Sequence, residues 1–338
     1  MSTRQGILAA LESAGGFVSG EELASRLGIS RAAVWKHITA LKLGGYEIDG
    51  IRARGYRLIS PPAVLSEAAI QARAAGLRIG RKILVLDVTR STNTDAMALG
   101  REGAAEGSVV IAEEQTAGRG RLGRTWESIR GVNLYMSILL RPEIAPGRAP
   151  QLSLVAGIAA AETVAEEGVD ARIKWPNDVV VVAGPGVDAA ARPPLRKHAG
   201  ILTEIEAEAD RARFVVVGIG VNLNSELAHF SPELEGKATS VLLERGARTD
   251  RTAFAARLLA RFEQCYDAWT NGGFAAVAPR WRALSVLDGR PIDIAAPGEQ
   301  VTGVCAGIDD DGALLVDVAG GGRRRILAGD VTISGGYN

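Results

Sequence analysis

The chain is short of several things that usually declare a function. Its 338 residues include two cysteines, Cys265 and Cys305, and three histidines, His37, His198 and His229. Two cysteines cannot build a disulfide framework and fit a reducing compartment. No histidine neighbours another or a cysteine, so the spacing speaks against a His/Cys zinc site. Neither sign of charge is in excess: 39 Lys and Arg stand against 39 Asp and Glu. Bulk charge therefore marks neither a nucleic-acid sponge nor an acidic halo. The longest apolar runs, such as 152–161, fall far short of the ~18 residues that a membrane span needs. No basic start followed by an apolar core and cleavage site opens the chain, and the expectation is a cytoplasmic protein without a membrane partner. What is abundant is glycine, 41 residues. At ~150 residues per domain, the length predicts two or three domains.

Residues 1–60 read as helices followed by a hairpin. A short apolar helix is expected over 6–14. Ser19, with Glu22 three residues on, reads as a capping box that opens a helix over 21–27. Gly28 stops it, and Ser30 is the next N-cap, for a helix over 31–42. The turn 27–30 is as short as a helix-turn-helix allows. Val34, Ile38 and Leu41 fall inward, and Arg31 and Lys36 outward. Segments 46–48 and 55–58 then alternate around a hairpin whose tip carries Arg52, Arg54 and Arg57. Eight basic residues against five acidic ones give this segment a surplus of three positive charges. The pattern is similar to a winged helix-turn-helix, in which recognition-helix and wing cations meet DNA. The plainer alternative is a trio of small helices that binds protein, with ordinary solvated cations.

Pro61-Pro62 after Ser60 marks a linker. From 63 to 284 the chain mixes strands (82–87, 108–113, 133–140, 171–174, 179–182, 200–205, 214–219) with helices (93–98, 150–167, 251–271). Strands follow one another directly in the middle, so the expected class is α+β with a mixed or antiparallel sheet. Residues 285–338 are short strands between Gly, Asp and Pro turns and predict a small barrel. The Ala/Gly/Pro stretch 183–194 is expected to be a solvent loop.

The most specific run is Gln115-Thr-Ala-Gly118-Arg119-Gly120-Arg121-Leu122-Gly123-Arg124. Its Gly-x-Gly-x-x-Gly matches a dinucleotide fingerprint in letters, but that fingerprint needs a helix to follow, and 131–140 is strand-like. A P-loop and the kinase signatures are absent. What remains is a loop whose backbone can approach a ligand while Arg119, Arg121 and Arg124 neutralise anions. A second run, Lys174-Trp-Pro-Asn177-Asp178, ends a strand in a turn. Lys174 is either a surface side chain or a fixed cation facing a pocket. Asp178 is a turn residue, or orients Lys174 or a magnesium ion. In Ser91-Thr92-Asn93 one residue caps the following helix, or the spare polar groups hold a ligand head. Gly218 to Asn222 forms another polar rim.

Together Ser91-Thr92-Asn93, Gln115, the run 118–124, Lys174 to Asp178, Gly200-Ile201-Leu202 and Gly218 to Asn222 resemble, in order, the bifunctional bacterial biotin–protein ligases that double as biotin-operon repressors. The resemblance implies a winged helix-turn-helix (1–60), a class II synthetase-like ligase domain (63–284) and an SH3-like C-terminal barrel (285–338). It implies that ATP and Mg²⁺ activate biotin as biotinyl-5′-adenylate, and that biotin passes to a lysine of the biotin carboxyl carrier protein of acetyl-CoA carboxylase. By the same resemblance Ser91, Thr92, Asn93, Gln115, Gly118, Arg119, Gly120, Arg121, Lys174, Gly200 and Leu202 bind biotin. Arg121, Arg124, Trp126, Lys174, Asn177 and Asn222 meet the nucleotide, and Lys174 and Arg121 are catalytic. The loop is expected to be mobile when empty and ordered by adenylate. Arg31, Lys36, Arg52 and Arg54 contact operator DNA, and adenylate promotes a homodimer. A lipoate–protein ligase and a ligand-sensing transcription factor without turnover are the competing readings. The stretch 183–194, longer than the pattern requires, bears on carrier docking or dimer contacts.

Overall fold

In a computed structural model, residues 3–43, 46–60, 64–182 and 195–333 are described. The predicted loop at 183–194 and Pro61-Pro62 lie outside them. The N-terminal unit comprises α1 (Thr3–Ala14), α2 (Gly20–Leu27), α3 (Arg31–Leu43) and a hairpin of β1 (Glu47–Ile51) and β2 (Gly55–Ser60). Local chemistry sets its turns. The Ser19 side chain accepts from the Glu22 amide at 3.0 Å, and Ser30 from the Ala33 amide at 3.1 Å. Gly28 takes the left-handed conformation, φ 65°, and its N–H returns to the Ala24 carbonyl, a turn that suits glycine. The expected capping box forms on its serine side; the Glu22 carboxylate pairs instead with Arg26, one helical turn on, at 2.6 Å. Ile7, Leu11, Leu23, Val34, Ile38 and Leu41 make a separate small core.

The central unit holds α4 (Glu67–Arg73), β3 (Lys82–Thr89), α5 (Thr92–Arg101), β4 (Ser108–Gln115), β5 (Leu134–Leu140), α6 (Gln151–Ala165), β6 (Ala171–Lys174), β7 (Asp178–Val182), β8 (Leu195–Glu208), β9 (Arg211–Val221), α7 (Val241–Arg245), α8 (Arg251–Gly272) and α9 (Ala278–Leu284). Its seven strands order β3-β4-β5-β9-β8-β7-β6. The β3–β4 pair is parallel and the other pairs antiparallel, the mixed sheet expected. Period-2 alternation splits the side chains between two faces. Val110, Leu139, Phe214 and Val216 pack under α5, whereas Val109, Ile111, Ile138, Val215 and Val217 face the α6 and α8 side. Nearly all of α6 is buried, because α8 covers the side that the sheet does not.

The start of α8 is fixed by a fully buried ion pair, Arg251 to Glu113 of β4, 2.8 Å. The C-terminal unit, β10 (Pro291–Ala296), β11 (Glu299–Ile308), β12 (Leu314–Val318), β13 (Arg323–Ile326) and β14 (Asp330–Ile333), is one antiparallel sheet in the order β13-β12-β11-β10-β14. No helix among the described residues is long and apolar enough to cross a membrane.

Candidate active site

The site lies on the α5 face, where that face runs out of apolar side chains. Cross-strand pairing sets Lys174 beside Asp178, Asp178 beside Gly200, Gly200 beside Gly220 and Gly220 beside Tyr135. Neighbours in such a row share a face, so a lysine and an aspartate stand at one end of a glycine floor. The next row pairs Leu202 with Gly218 and Gly218 with Ser137. The glycines are required by contact rather than by backbone angle. A Cβ on Gly218 would sit 2.1 Å from Asn93 Oδ1, and one on Gly220 2.6 Å from the Trp126 indole. Above this floor is a cavity of about 580 Å³, within the ~300–1,000 Å³ usual for small-molecule sites.

One wall is the start of α5. Ser91 holds the N-cap position, yet its hydroxyl makes no capping bond and the residue is buried. The Thr92 amide instead donates to Gln115 Oε1, 2.9 Å, and Gln115 Nε2 to Ser128. Asn93 Nδ2 donates to the Leu202 carbonyl (3.1 Å) and to Glu204 (2.8 Å), while Ser137 donates to Asn93 Oδ1. Ser91, Thr92, Asn93 and Gln115 therefore form a rigid polar rim, with Gln115 supplying the helix cap that the Ser91 side chain does not.

The glycine–arginine loop forms the lid. It closes on itself through Gly120 N–H to Arg124 carbonyl, 2.7 Å, and Trp126 N–H to Gly118 carbonyl, 2.9 Å. Leu122 at its tip has φ 55° and is exposed. Arg119 reaches Glu204 at 2.9 Å. Arg121 donates to Asn177 Oδ1 (3.1 Å), to Asp330 Oδ1 (3.5 Å) and to the Gly329 carbonyl (3.3 Å), and Arg124 pairs with Asp330. The start of β14 in the C-terminal unit thus joins the wall. Trp126 lies on the floor against Gly200 and Gly220, with Lys197 Nζ 5.5 Å from its ring centre. The Trp126 indole N–H is buried without a hydrogen-bonding partner among the described residues.

Lys174, open between surface and pocket in the sequence, is buried and lines the cavity. Burial pushes its ammonium down to about 8; Asp178 opposes that shift and Lys197 adds to it. Asn177 is fixed by donating to the Ile201 carbonyl, 2.8 Å. Asn222 lines the cavity with its amide donating to the Thr239 carbonyl, 3.1 Å. The site residues named from the sequence in the central unit thus line or brace one cavity. In the N-terminal unit Arg31, Lys36, Arg52 and Arg54 are exposed. Arg54 and Arg57 both stack on Phe17, 4.9 and 4.7 Å from its centre, and Arg57 also pairs with Asp49 across the hairpin.

Three family models match in chain order: an HTH domain over residues 3–57, the biotin/lipoate A/B protein ligase family over 85–222, and the biotin protein ligase C-terminal domain over 289–333. The Bifunctional ligase/repressor BirA of Bacillus spizizenii is 36% identical, covering 94% of both chains. The chain belongs to the bifunctional biotin ligase/repressor family. A biotin--[acetyl-CoA-carboxylase] ligase of Mycobacterium tuberculosis is 36% identical over 81% of this chain and 96% of its own. Among solved structures, a biotin protein ligase from Aquifex aeolicus in complex with biotin and ATP superposes with TM-score 0.63 at 25% identity, covering 75% of this chain and all of that one.

Against the motifs that carry this family resemblance, the residues missed in the sequence are Lys197, Glu204, Gly329 and Asp330. Lys197 pairs with Asp178 at 2.6 Å, although strict alternation from Gly200 would turn it to the other face. A register shift opposite Val179 and Val180 makes His198 the extra residue, and a bulge of this kind re-aims the side chains beside it. His198 is fully buried in consequence, and burial pushes its imidazole down to about 3.

Proposed function

We propose that this chain is an ATP-dependent biotin–protein ligase and also a biotin-responsive repressor, organised as residues 1–60, 63–284 and 285–338. The observation that carries the ligase reading is the row Lys174–Asp178–Gly200–Gly220 beneath a lid of arginines: a flat floor for a thin ligand, with cations over one end. A biotin carboxylate oxygen attacks the α-phosphorus of ATP, the bond to the β-phosphate oxygen breaks, and pyrophosphate leaves. The amine of a carrier lysine then attacks the acyl carbon, AMP leaves with its oxygen, and the amine's proton passes to solvent. The first step gathers anions, so its barrier falls with fixed cations and alignment.

Ser91, Thr92, Asn93 and Gln115 receive the ureido ring, and Gly118, Arg119, Gly120, Gly200 and Leu202 enclose the bicycle and chain. Lys174 meets both carboxylate and phosphate. Arg121, Arg124, Trp126, Asn177 and Asn222 serve the nucleotide side, where the unpartnered Trp126 N–H is a donor in waiting. Closing the lid keeps the anhydride from water. Among the described residues, four carboxylates line the cavity, Asp178 and Asp330, each engaged by a cation, and Glu127 and Glu233, and no group of three His, Cys, Asp or Glu could hold a metal ion. One or two of these carboxylates would hold an Mg²⁺ carried mainly by ATP phosphates, and the ion would supply charge neutralisation there.

The carrier is the biotin carboxyl carrier protein of acetyl-CoA carboxylase, and the setting is the cytoplasm. Operator DNA is met by Arg31, Lys36, Arg52 and Arg54, with a homodimer formed on adenylate binding to span two half-sites. ATP–pyrophosphate exchange with purified protein and Mg²⁺ tests the ligase reading. Exchange with biotin alone supports it, exchange with lipoate alone moves the chain to the lipoate ligases, and none with either leaves a ligand sensor.

A further inference from the structure

Helix α3 carries one side chain that the small N-terminal core does not account for. Consecutive helix residues turn by about 100°, so Arg31, Lys42, Trp35, Thr39, Ala32 and Lys36 follow one another around a single arc of its surface. The arc beside it, with Val34, Ile38 and Leu41, is buried. Within the outer arc Trp35 is 63% exposed, between the cations Arg31 and Lys36, which are exposed as well. An indole is among the costliest side chains to leave in water. Thr39 does not point a free hydroxyl beside it, because that hydroxyl donates to the Trp35 carbonyl at 2.9 Å. Ala32 adds no bulk. The arc is thus an apolar plate between two positive charges, one turn from a capped helix start.

We propose that Trp35 is the sequence-reading residue of this helix, and that its indole covers the 5-methyl group of a thymine in the DNA major groove. The proposal rests on the DNA-binding reading above. Charge complementarity selects this occupant: Arg31 and Lys36 are placed to straddle the groove on phosphates, which carry no sequence information. A side chain between them meets base edges, where the thymine methyl is the apolar feature that distinguishes a base pair. The single cations fix register and affinity, and Trp35 supplies the preference.

The test is selection from a pool of random-sequence duplexes with full-length wild type, Trp35→Ala and Trp35→Phe, in the presence of biotin and ATP, followed by binding to the enriched duplex across a salt series. Wild type enriches a two-fold motif. Trp35→Ala loses about tenfold in affinity for that duplex, loses its preference at one thymine per half-site, and keeps the wild-type salt slope, because phosphate contacts set that slope. Trp35→Phe keeps most of the preference. An alanine variant that enriches the same motif with the same preference at every position overturns the proposal. So does one that loses all binding, with its salt slope, since Trp35 would then hold the module rather than read bases. A wild type that enriches no motif overturns the DNA-binding reading itself, and the wild-type arm separates that failure from the others.

Discussion

On the proposed reading, Lys174 couples function to a stability cost at a single residue. Its ammonium has an ordinary value of 10.5 and is pushed down to about 8 by burial. The folded state therefore disfavours the charged form. The cost of burying the cation is felt in full below about pH 8 and fades as pH rises toward 10.5. Lys174→Met should raise the stability of the empty protein at pH 7, by at most about 3 kcal/mol, while abolishing adenylate formation. Thermal melts at pH 7 and pH 10 check this: the variant's advantage shrinks at the higher pH, and a variant less stable at pH 7 contradicts it. The role of Lys174 was half legible in the sequence. Its place at a strand end was plain, but which face it used depended on pairing with Asp178 and Gly200. The reach of Lys197 was hidden altogether, because the bulge at His198 breaks the alternation by which one reads a face.

At the scale of the element, the lid ties three distant stretches of chain together. Arg121 spends its donors on Asn177, Asp330 and the Gly329 carbonyl. Removing that guanidinium takes away the anchor of the loop and, on the proposed reading, a cation over the ligand. Arg121→Gly should release adenylate at least about tenfold faster and label bystander lysines on a carrier-free protein, read by streptavidin blot; unchanged adenylate retention would refute it. Asp330→Asn, which keeps both lid arginines and weakens the contact that Arg121 and Arg124 share, should leak by about fivefold, the worth of a partly exposed ion pair. Strands and serine-capped helices were readable from the sequence because their signals are local. Three short helices, α4, α7 and α9, were not, although Ser66 and Ser240 cap the first two. Each is five to seven residues long, too short to display a period.

At the scale of the whole molecule, the N-terminal unit is fastened to the central one by a polar contact. The Tyr46 hydroxyl donates to Asp250 and accepts from Arg73 at 2.8 Å. Burial first, then the Asp250 carboxylate, raises the Tyr46 phenol far above its usual range. Asp250 also caps α8, accepting from the Ala253 amide at 3.0 Å. A hydrogen bond so placed transmits the position of one unit to the helix that begins beside Arg251 and Glu113. Tyr46→Phe should cost about 1–2 kcal/mol and split calorimetric unfolding into two transitions, the N-terminal unit melting first; a single transition at the wild-type temperature would show the units are fastened elsewhere. No pattern within 1–60 announces this contact, since its partners lie more than two hundred residues apart.

The anchoring of Arg121 and Arg124 on Asp330 also imposes an order on synthesis. The helices and hairpin of the N-terminal unit are complete within the first sixty residues and have a core of their own. The ligand cavity lacks part of its wall until β14, at Asp330–Ile333, has left the ribosome. Domains generally fold as units in the order they are made. A growing chain therefore finishes its N-terminal head before its ligand cavity, and translation that stalls short of residue 330 yields a folded head on a ligase domain that cannot hold its lid.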